Sequence, residues 1–273
     1  MSPLTTAFPD FLRADAGTAL VSPWIVPTAG VQRAAADAVL AEWEQQSRPE
    51  AMLSLSVFLS TDGSHLLNHA QWTSDDAHRA WARTRRPALV DRIDETVPGI
   101  RRPGLVRYRR YRSHLAGNAP GGVTGRRPEL LVTPAFTTVG PAAQHRLADT
   151  VLDLLAQEPV PGLLAAHFHL SQDGTRVLNY AEWEDLSAWQ EFVRHGASGL
   201  MAARIAELDG VRPAPAMPLG PQTSPGGPPS SPDTTMTTTP QAPDMPAVAH
   251  YRLYKSLINV PAPDANSTPG SST

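Results

Sequence analysis

Two asparagine–tryptophan pairs have a spacing that could do chemistry. Asn68 and Trp72, and again Asn179 and Trp183, lie four residues apart in apolar, β-prone runs. On an extended strand, side chains four apart face the same way, separated by about 13 Å at roughly 3.3 Å per residue. An amide offers two donors and an acceptor, and an indole offers one donor beside a flat face. Such a pair can hold a planar ligand and donate to an oxygen on which negative charge develops. Asparagine is disfavoured inside strands, and a buried amide needs partners. The competing role is structural, with the amide closing a local backbone hydrogen bond and the indole filling core.

Each pair closes a longer match. Phe58–Trp72 aligns without a gap on His169–Trp183, and the Asp62–Asp173 and Trp72–Trp183 offsets are both 111 residues. Solenoid repeats run roughly 20–50 residues, so this is a duplicated domain. The elements around the pairs repeat with it. In the first copy, residues 19–26 read as a strand and 31–46 as a helix with apolar residues at helical spacing. Residues 52–60 alternate with period two, Asp62-Gly63 signals a hairpin turn, and 66–72 return as its second strand. Ser74 caps a helix that runs to about Thr84 and continues from Pro87 to Glu95, before a strand over 105–113.

The second copy follows with strands over 130–137, 163–171 and 176–183 and helices over 144–157 and 187–207. Its last strand is displaced: Tyr108–Ser113 matches Tyr251–Ser256 at an offset of 143. The difference is an insert at about 213–246, rich in Pro, Ser, Thr and Gly, whose composition cannot bury enough apolar area to order it. The domains therefore span 18–115 and 128–258, with a linker at 116–127 and a disordered tail at 259–273. The order β-α-β-β-α-β predicts two tandem ferredoxin-like domains of the α+β class. Helices cover one face of each sheet, so the bare faces must meet in an intrachain pseudo-dimer, a sheet-on-sheet barrel.

Composition removes several function classes. The chain of 273 residues has a formal charge of −3, which gives no field to gather nucleic acid or an anionic membrane. It has no cysteine, so disulfide and thiolate chemistry is absent. Met1 to Gly17 carries Pro and Asp where a signal peptide needs an unbroken apolar core, and the expectation is a cytoplasmic protein.

The block Leu-Asn-His-Ala-Gln-Trp (67–72) or Leu-Asn-Tyr-Ala-Glu-Trp (178–183), after Ser-x-Asp-Gly and on this frame, resembles the antibiotic biosynthesis monooxygenase family. More narrowly it is similar to the small cofactor-independent oxygenases of aromatic polyketide pathways. The resemblance covers nearly all of both repeats. It implies a pocket between sheet and helices lined by the strand Asn and Trp, an aromatic hydroxyl early in the next helix, and an Arg near that helix's end. Those positions fall on Asn68, Trp72, His78 and Arg92, and in a second pocket on Asn179, Trp183, Trp189 and Arg204. Neither His78 nor Trp189 is the expected Tyr.

The implied activity is oxidation of a polycyclic phenol or anthrone to a quinone by O₂, with no cofactor and no metal. The Arg would steady a phenolate, the amide a developing oxyanion, and His78 would accept the phenolic proton. On that ground the first pocket is the better candidate for activity. The implied partner is a small aromatic polyketide, with no nucleic acid or membrane, on a monomeric pseudo-dimer or homodimer. A cyclase or aromatase of the same fold and a non-catalytic ligand-binding or complex-stabilising protein are the alternatives. His167 and His169, two apart on one strand face, suit a metal only with a third ligand that the sequence does not supply.

Overall fold

The computed structural model describes residues 4–117, 126–194, 197–214 and 248–259. The first repeat contributes β1 (Leu4–Thr5), β2 (Thr18–Ile25), α1 (Ala29–Gln45), β3 (Met52–Ser60) and β4 (His65–Trp72). It ends with α2 (Asp75–Thr84), α3 (Arg86–Thr96) and β5 (Val106–Leu115). The second supplies β6 (Leu130–Thr138), α4 (Pro141–Gln157), β7 (Leu163–Ser171), β8 (Arg176–Trp183) and α5 (Leu186–Arg194). It closes with α6 (Ala197–Ala206), β9 (Val211–Ala214) and β10 (Val248–Ile258). Both repeats have the expected α+β, ferredoxin-like order.

Local chemistry sets these boundaries. Ser74 Oγ accepts from the Ala77 amide at 3.2 Å, and Asp75 and Asp76 follow it at the positive end of α2. Pro87, which lacks an amide hydrogen, occupies the first turn of α3, where none is needed. Asp62 and Asp173 act in their turns: each carboxylate accepts from a backbone amide two residues on, at 3.0 Å. The glycines beside them, Gly63 and Gly174, both sit at φ +76°, which a side chain would strain. Each hairpin is tied to its helix by a buried glutamine. Gln32 Nε2 donates to the Ser60 and His65 carbonyls, and Gln144 Nε2 to those of Ser171 and Arg176. The strand carrying each Asn–Trp pair is thereby fixed beneath α1 or α4.

The bare faces do meet, and strand exchange joins them. The hydrogen-bonded order is β1-β10-β3-β4-β2-β5-β7-β8-β6-β9, and a further pairing of β10 with β6 closes the ring. β5 bonds its own β2 only at Ala19–Val21, then runs along β7 of the other repeat from Tyr108 to Leu115. β10 bonds β6 from Val248 to Tyr251 and then β3 of the first repeat as far as Ile258. A closed barrel removes the open edges that isolated sheets would leave. Its interior is packed with Val21, Phe58, Leu67, Tyr108, Leu178 and Tyr180 among others.

Three features depart from the sequence expectations. Phe11 lies ahead of the expected domain start at residue 18, yet it enters the barrel, 3% exposed, and stacks on Tyr180 at 4.8 Å. Pro213 and Ala214 belong to β9, paired with Phe136 and Ala135, so the insert begins after them and its remainder, 215–246, lies outside the described residues. Asn259, placed in the tail, is anchored by bonds from Nδ2 to the Pro49 and Met52 carbonyls. The rest of that tail and most of the linker, 118–125, also lie outside the described residues. β9 and β10 follow one another along the same edge of β6, with Ala214 opposite Ala135 and Val248 opposite Pro134. They are one strand interrupted by the insert.

Candidate functional site

Each repeat has a cavity between its sheet and its helices, and each Asn–Trp pair lines one. In the second repeat Asn179 and Trp183 rise from β8, 8% and 2% exposed. Around them stand Leu155 from α4, Trp189 and Phe192 from α5, Met201 and Ile205 from α6, and Pro213 and Val248 from the interrupted strand. The cavity measures about 280 Å³. Asn179 Oδ1 and Trp183 Nε1 have no hydrogen-bond partner among the described residues. Among the described residues no acid, base or phenol lines this space. It is an apolar slot lined by one amide, two indoles and the Ser198 side chain.

In the first repeat Asn68 and Trp72 hold the same places, but the cavity shrinks to about 90 Å³. Asn68 Nδ2 donates to the Ser22 carbonyl at 3.3 Å, while its Oδ1 is unpaired. Trp81 stacks on Trp43 at 4.8 Å and leans on Trp72 at 5.5 Å. The counterparts of Trp43, Trp81 and Arg86 are the smaller Leu155, Phe192 and Ser198. An apolar cavity of about 150 Å³ takes a benzene ring. By that measure the second cavity suits a fused polycycle, and the first falls short of one ring.

His78 does not meet the role of base. It is 5% exposed beside Trp72, and burial followed by the positive charges of Arg107 and Arg86 pushes its imidazole down to about 4. Arg107 Nη1, which can only donate, sits 3.1 Å from Nδ1, so that lone pair is engaged. The guanidinium is also 3.6 Å from Asp75 Oδ1. At neutral pH His78 is an uncharged ring with its acceptor occupied. The ground for preferring the first pocket is thereby removed.

Trp189 takes the corresponding place in the second repeat and lines the cavity without filling it, its ring 5.2 Å from Trp183. Arg92 and Arg204 line neither cavity. Arg92 reaches from α3 to Glu42 on α1 at 2.7 Å, and Arg204 pairs with Glu207 at 3.4 Å, its side chain 61% exposed. Their neighbours Ile93 and Ile205 hold the inward face of those helices, which turns the arginines outward. The arginine at the first cavity is Arg86, which the motif does not mark. Aligning the repeats by their helices, Gln32 on Gln144 and Ile93 on Ile205, would have matched it to Ser198.

His167 and His169 point into the barrel. His167 Nδ1 lies 2.9 Å from Ser113 Oγ and its Nε2 3.6 Å from Glu182, while His169 Nδ1 lies 3.1 Å from the His167 carbonyl. Among the described residues no three His, Cys, Asp or Glu side chains are placed to hold a metal ion. No helix among them is long and apolar enough to cross a membrane.

The model of the family described as Antibiotic biosynthesis monooxygenase matches residues 132–204, which include most of the residues that line the larger cavity. Tetracenomycin-F1 monooxygenase of Streptomyces glaucescens is 36% identical over 58 residues, 20% of this chain and 52% of that protein. The chain thus spans about half the length of that relative. The crystal structure of an anthrone oxidase-like protein superposes with a TM-score of 0.57 over 94% of this chain and 96% of that one, a likeness of fold at 17% identity. A monooxygenase from the gene ActVA-Orf6 of Streptomyces coelicolor, solved with nanaomycin D, is 32% identical, covering 33% of this chain and 88% of its own, with a TM-score of 0.28.

Proposed function

We propose that the second repeat, whose residues 132–204 match the antibiotic biosynthesis monooxygenase family, oxidises a flat polycyclic phenol or anthrone to a quinone with O₂, without cofactor. The observation that carries this reading is the pairing of two buried, unpartnered polar atoms with an apolar cavity of about 280 Å³. Unmade hydrogen bonds at buried groups cost about 1–3 kcal/mol each. A ligand with a hydroxyl for Asn179 Oδ1 and a carbonyl for Trp183 Nε1 would relieve both. Peri-hydroxylated anthrones and phenols have that arrangement on a rigid frame of the right thickness.

The chemistry asks little of the protein. An anthrone that has lost a proton passes one electron to O₂, and the radical pair combines to a ring hydroperoxide. Loss of water then leaves the carbonyl, so one oxygen atom enters the ring and the other leaves as water. The side chains hold the anion flat, exclude water, and offer the Asn179 amide to negative charge as it builds on oxygen. Among the described residues no titratable side chain lines the cavity, and in this reading the proton leaves through the substrate's own acidity.

The same lack of a base supports a second reading, a protein that binds the quinone or its precursor without turning it over. Oxygen uptake with 1,8-dihydroxyanthrone separates the two. The oxygenase reading expects uptake equal to the 1,8-dihydroxyanthraquinone formed, above the spontaneous rate. Saturable binding of the anthraquinone with no acceleration of uptake would leave a carrier.

A further inference from the structure

We infer that Trp43 and Trp81 set the number of ligands this chain can hold. Their stack shuts the first cavity to a polycycle, so each chain takes one flat ligand although it carries two copies of the motif. This rests on the second repeat being the binding pocket, as proposed above.

The two repeats keep the same strand residues at the base of the cavity. Asn68 matches Asn179 and Trp72 matches Trp183, and all four are buried. Both amides leave Oδ1 without a partner. The same two side chains therefore stand at the base of the first cavity, and the roof above them differs.

Trp43 on α1 and Trp81 on α2 lie with ring centroids 4.8 Å apart and planes within 25° of parallel, two indoles filling the span between helix and sheet. In the second repeat the same places hold Leu155 and Phe192, and the space opens to about 280 Å³ from about 90 Å³. The bulk difference at position 78 runs the other way, His78 against Trp189, and does not offset it. The roof pair accounts for part of the difference in size, beside Trp24, Leu55, Arg86 and Val90 against the smaller Phe136, Ala166, Ser198 and Ala202, while the Asn–Trp pair is common to both. Interiors are close-packed, so an indole in van der Waals contact on both faces cannot be displaced by a ligand without a new home for it. Trp43 is 6% exposed.

The test gives the first repeat the second repeat's own roof, as Trp43→Leu with Trp81→Phe in the full chain. Equilibrium binding of 1,8-dihydroxyanthraquinone is titrated calorimetrically, with thermal melting beside it. Wild type is expected to bind one equivalent and lose it in Asn179→Leu. The double variant is expected to bind two, and to keep one when Asn179→Leu is added. A folded double variant that still binds one equivalent overturns the inference, as does a wild type that already binds two. Should wild type bind none, the reading of the second repeat fails. A double variant that nonetheless gains one site would then sustain the roof argument alone, and one that gains none would end it. If the double variant does not melt cooperatively, Trp81→Phe alone is titrated, with gain of a second site expected and its absence counting against the inference.

Discussion

Tyr254 of the second repeat donates a 2.7 Å hydrogen bond to Asp37 on the first repeat's leading helix, and Tyr111 of the first repeat reaches Asp149 on the second repeat's helix α4 at 3.2 Å. Both tyrosines lie at register shifts, between Leu253 and Lys255 on β10 and between Arg110 and Arg112 on β5. An extra residue in a strand turns a side chain out of the ladder. Here the bulge aims each tyrosine at the other repeat. The clasp is reciprocal because the last strands are exchanged.

Exchange makes the repeats interdependent. A fragment ending at Gly117 keeps β5 but loses β7, and keeps β3 but loses β10. It then exposes two strand edges and the apolar barrel face around Phe58 and Leu67. The expected outcome is a homodimer or an aggregate, read by light scattering on a sizing column. A stable monomeric fragment would contradict the exchange. Tyr254→Phe in the full chain, at an exposed bond, should leave melting nearly unchanged.

The barrel interior should make the protein sensitive to acid. His69 is fully buried between Phe11 and Tyr180, and neither ring nitrogen has a partner among the described residues. Burial first, and His167 second, hold its imidazole down at about 3; His169 lies well below its ordinary value for the same first cause. Their folded values lie below the unfolded one near 6.5, so the unfolded chain binds protons more readily in this range. Stability from these neutral rings is present above about pH 6.5 and declines as pH falls toward 3. His69→Leu should flatten that decline between pH 6 and 4. At pH 7 it should stay within about 1 kcal/mol of wild type, since it removes two unmade hydrogen bonds along with ring contacts. Urea melts at both pH values check this, and an unchanged slope would exclude His69 as a cause.

The interrupted strand predicts where the chain can be shortened. Ala214 and Val248 take successive places along β6, and in the first repeat a single residue, Gly104, fills the matching gap between Pro103 and Leu105. Replacing 215–247 by one glycine should therefore give a protein that melts as wild type does. Closing a loop costs only about 0.6 kcal/mol per doubling of its length, so the shortening itself changes little. A deletion that also removes Val211–Ala214 takes away β9 and two lining positions. It should lower the melting temperature and weaken ligand binding, and equal behaviour of the two deletions would show that β9 contributes nothing.

Much of the fold was legible because alternation, turn glycines and helix caps are local signals. The strands over 52–60 and 176–183 and the break near Pro87 follow from neighbours in sequence. What pairs with what at the barrel seam is not local: nothing within Tyr108–Ser113 says that its partner is the other repeat's hairpin. Phe11 was invisible for a related reason, since one aromatic in an irregular segment has no period to reveal which surface it meets. At the site, the strand geometry of Asn179 and Trp183 was readable, but cavity size was not. It depends on Trp43 and Trp81, which look like ordinary core residues until the helices of the two repeats are compared. The arginines failed because Arg92 and Arg204 lie one step from the buried Ile of each helix, where 100° of rotation decides between pocket and solvent.

The sharpest difference expected between the repeats is in turnover. Asn179→Ala removes the amide that meets developing charge in the larger cavity and should lower the rate by about 10²–10³, as loss of one oxyanion donor does. Asn68→Ala, beneath the Trp43–Trp81 roof, should leave the rate unchanged. The pH profile carries the second half of the prediction. His78, held at about 4 and engaged by Arg107, gains no proton between pH 5 and 8. Among the described residues no titratable group lines the second cavity. The rate should therefore rise with pH as the substrate ionises, with a midpoint that moves when ring substituents move the substrate's own pKa. Oxygen uptake for two anthrones of different acidity, with wild type and both variants, measures all of this. A midpoint fixed near pH 6–7 for both substrates would assign the proton to a protein group instead. Loss of rate in Asn68→Ala but not in Asn179→Ala would return the chemistry to the first repeat.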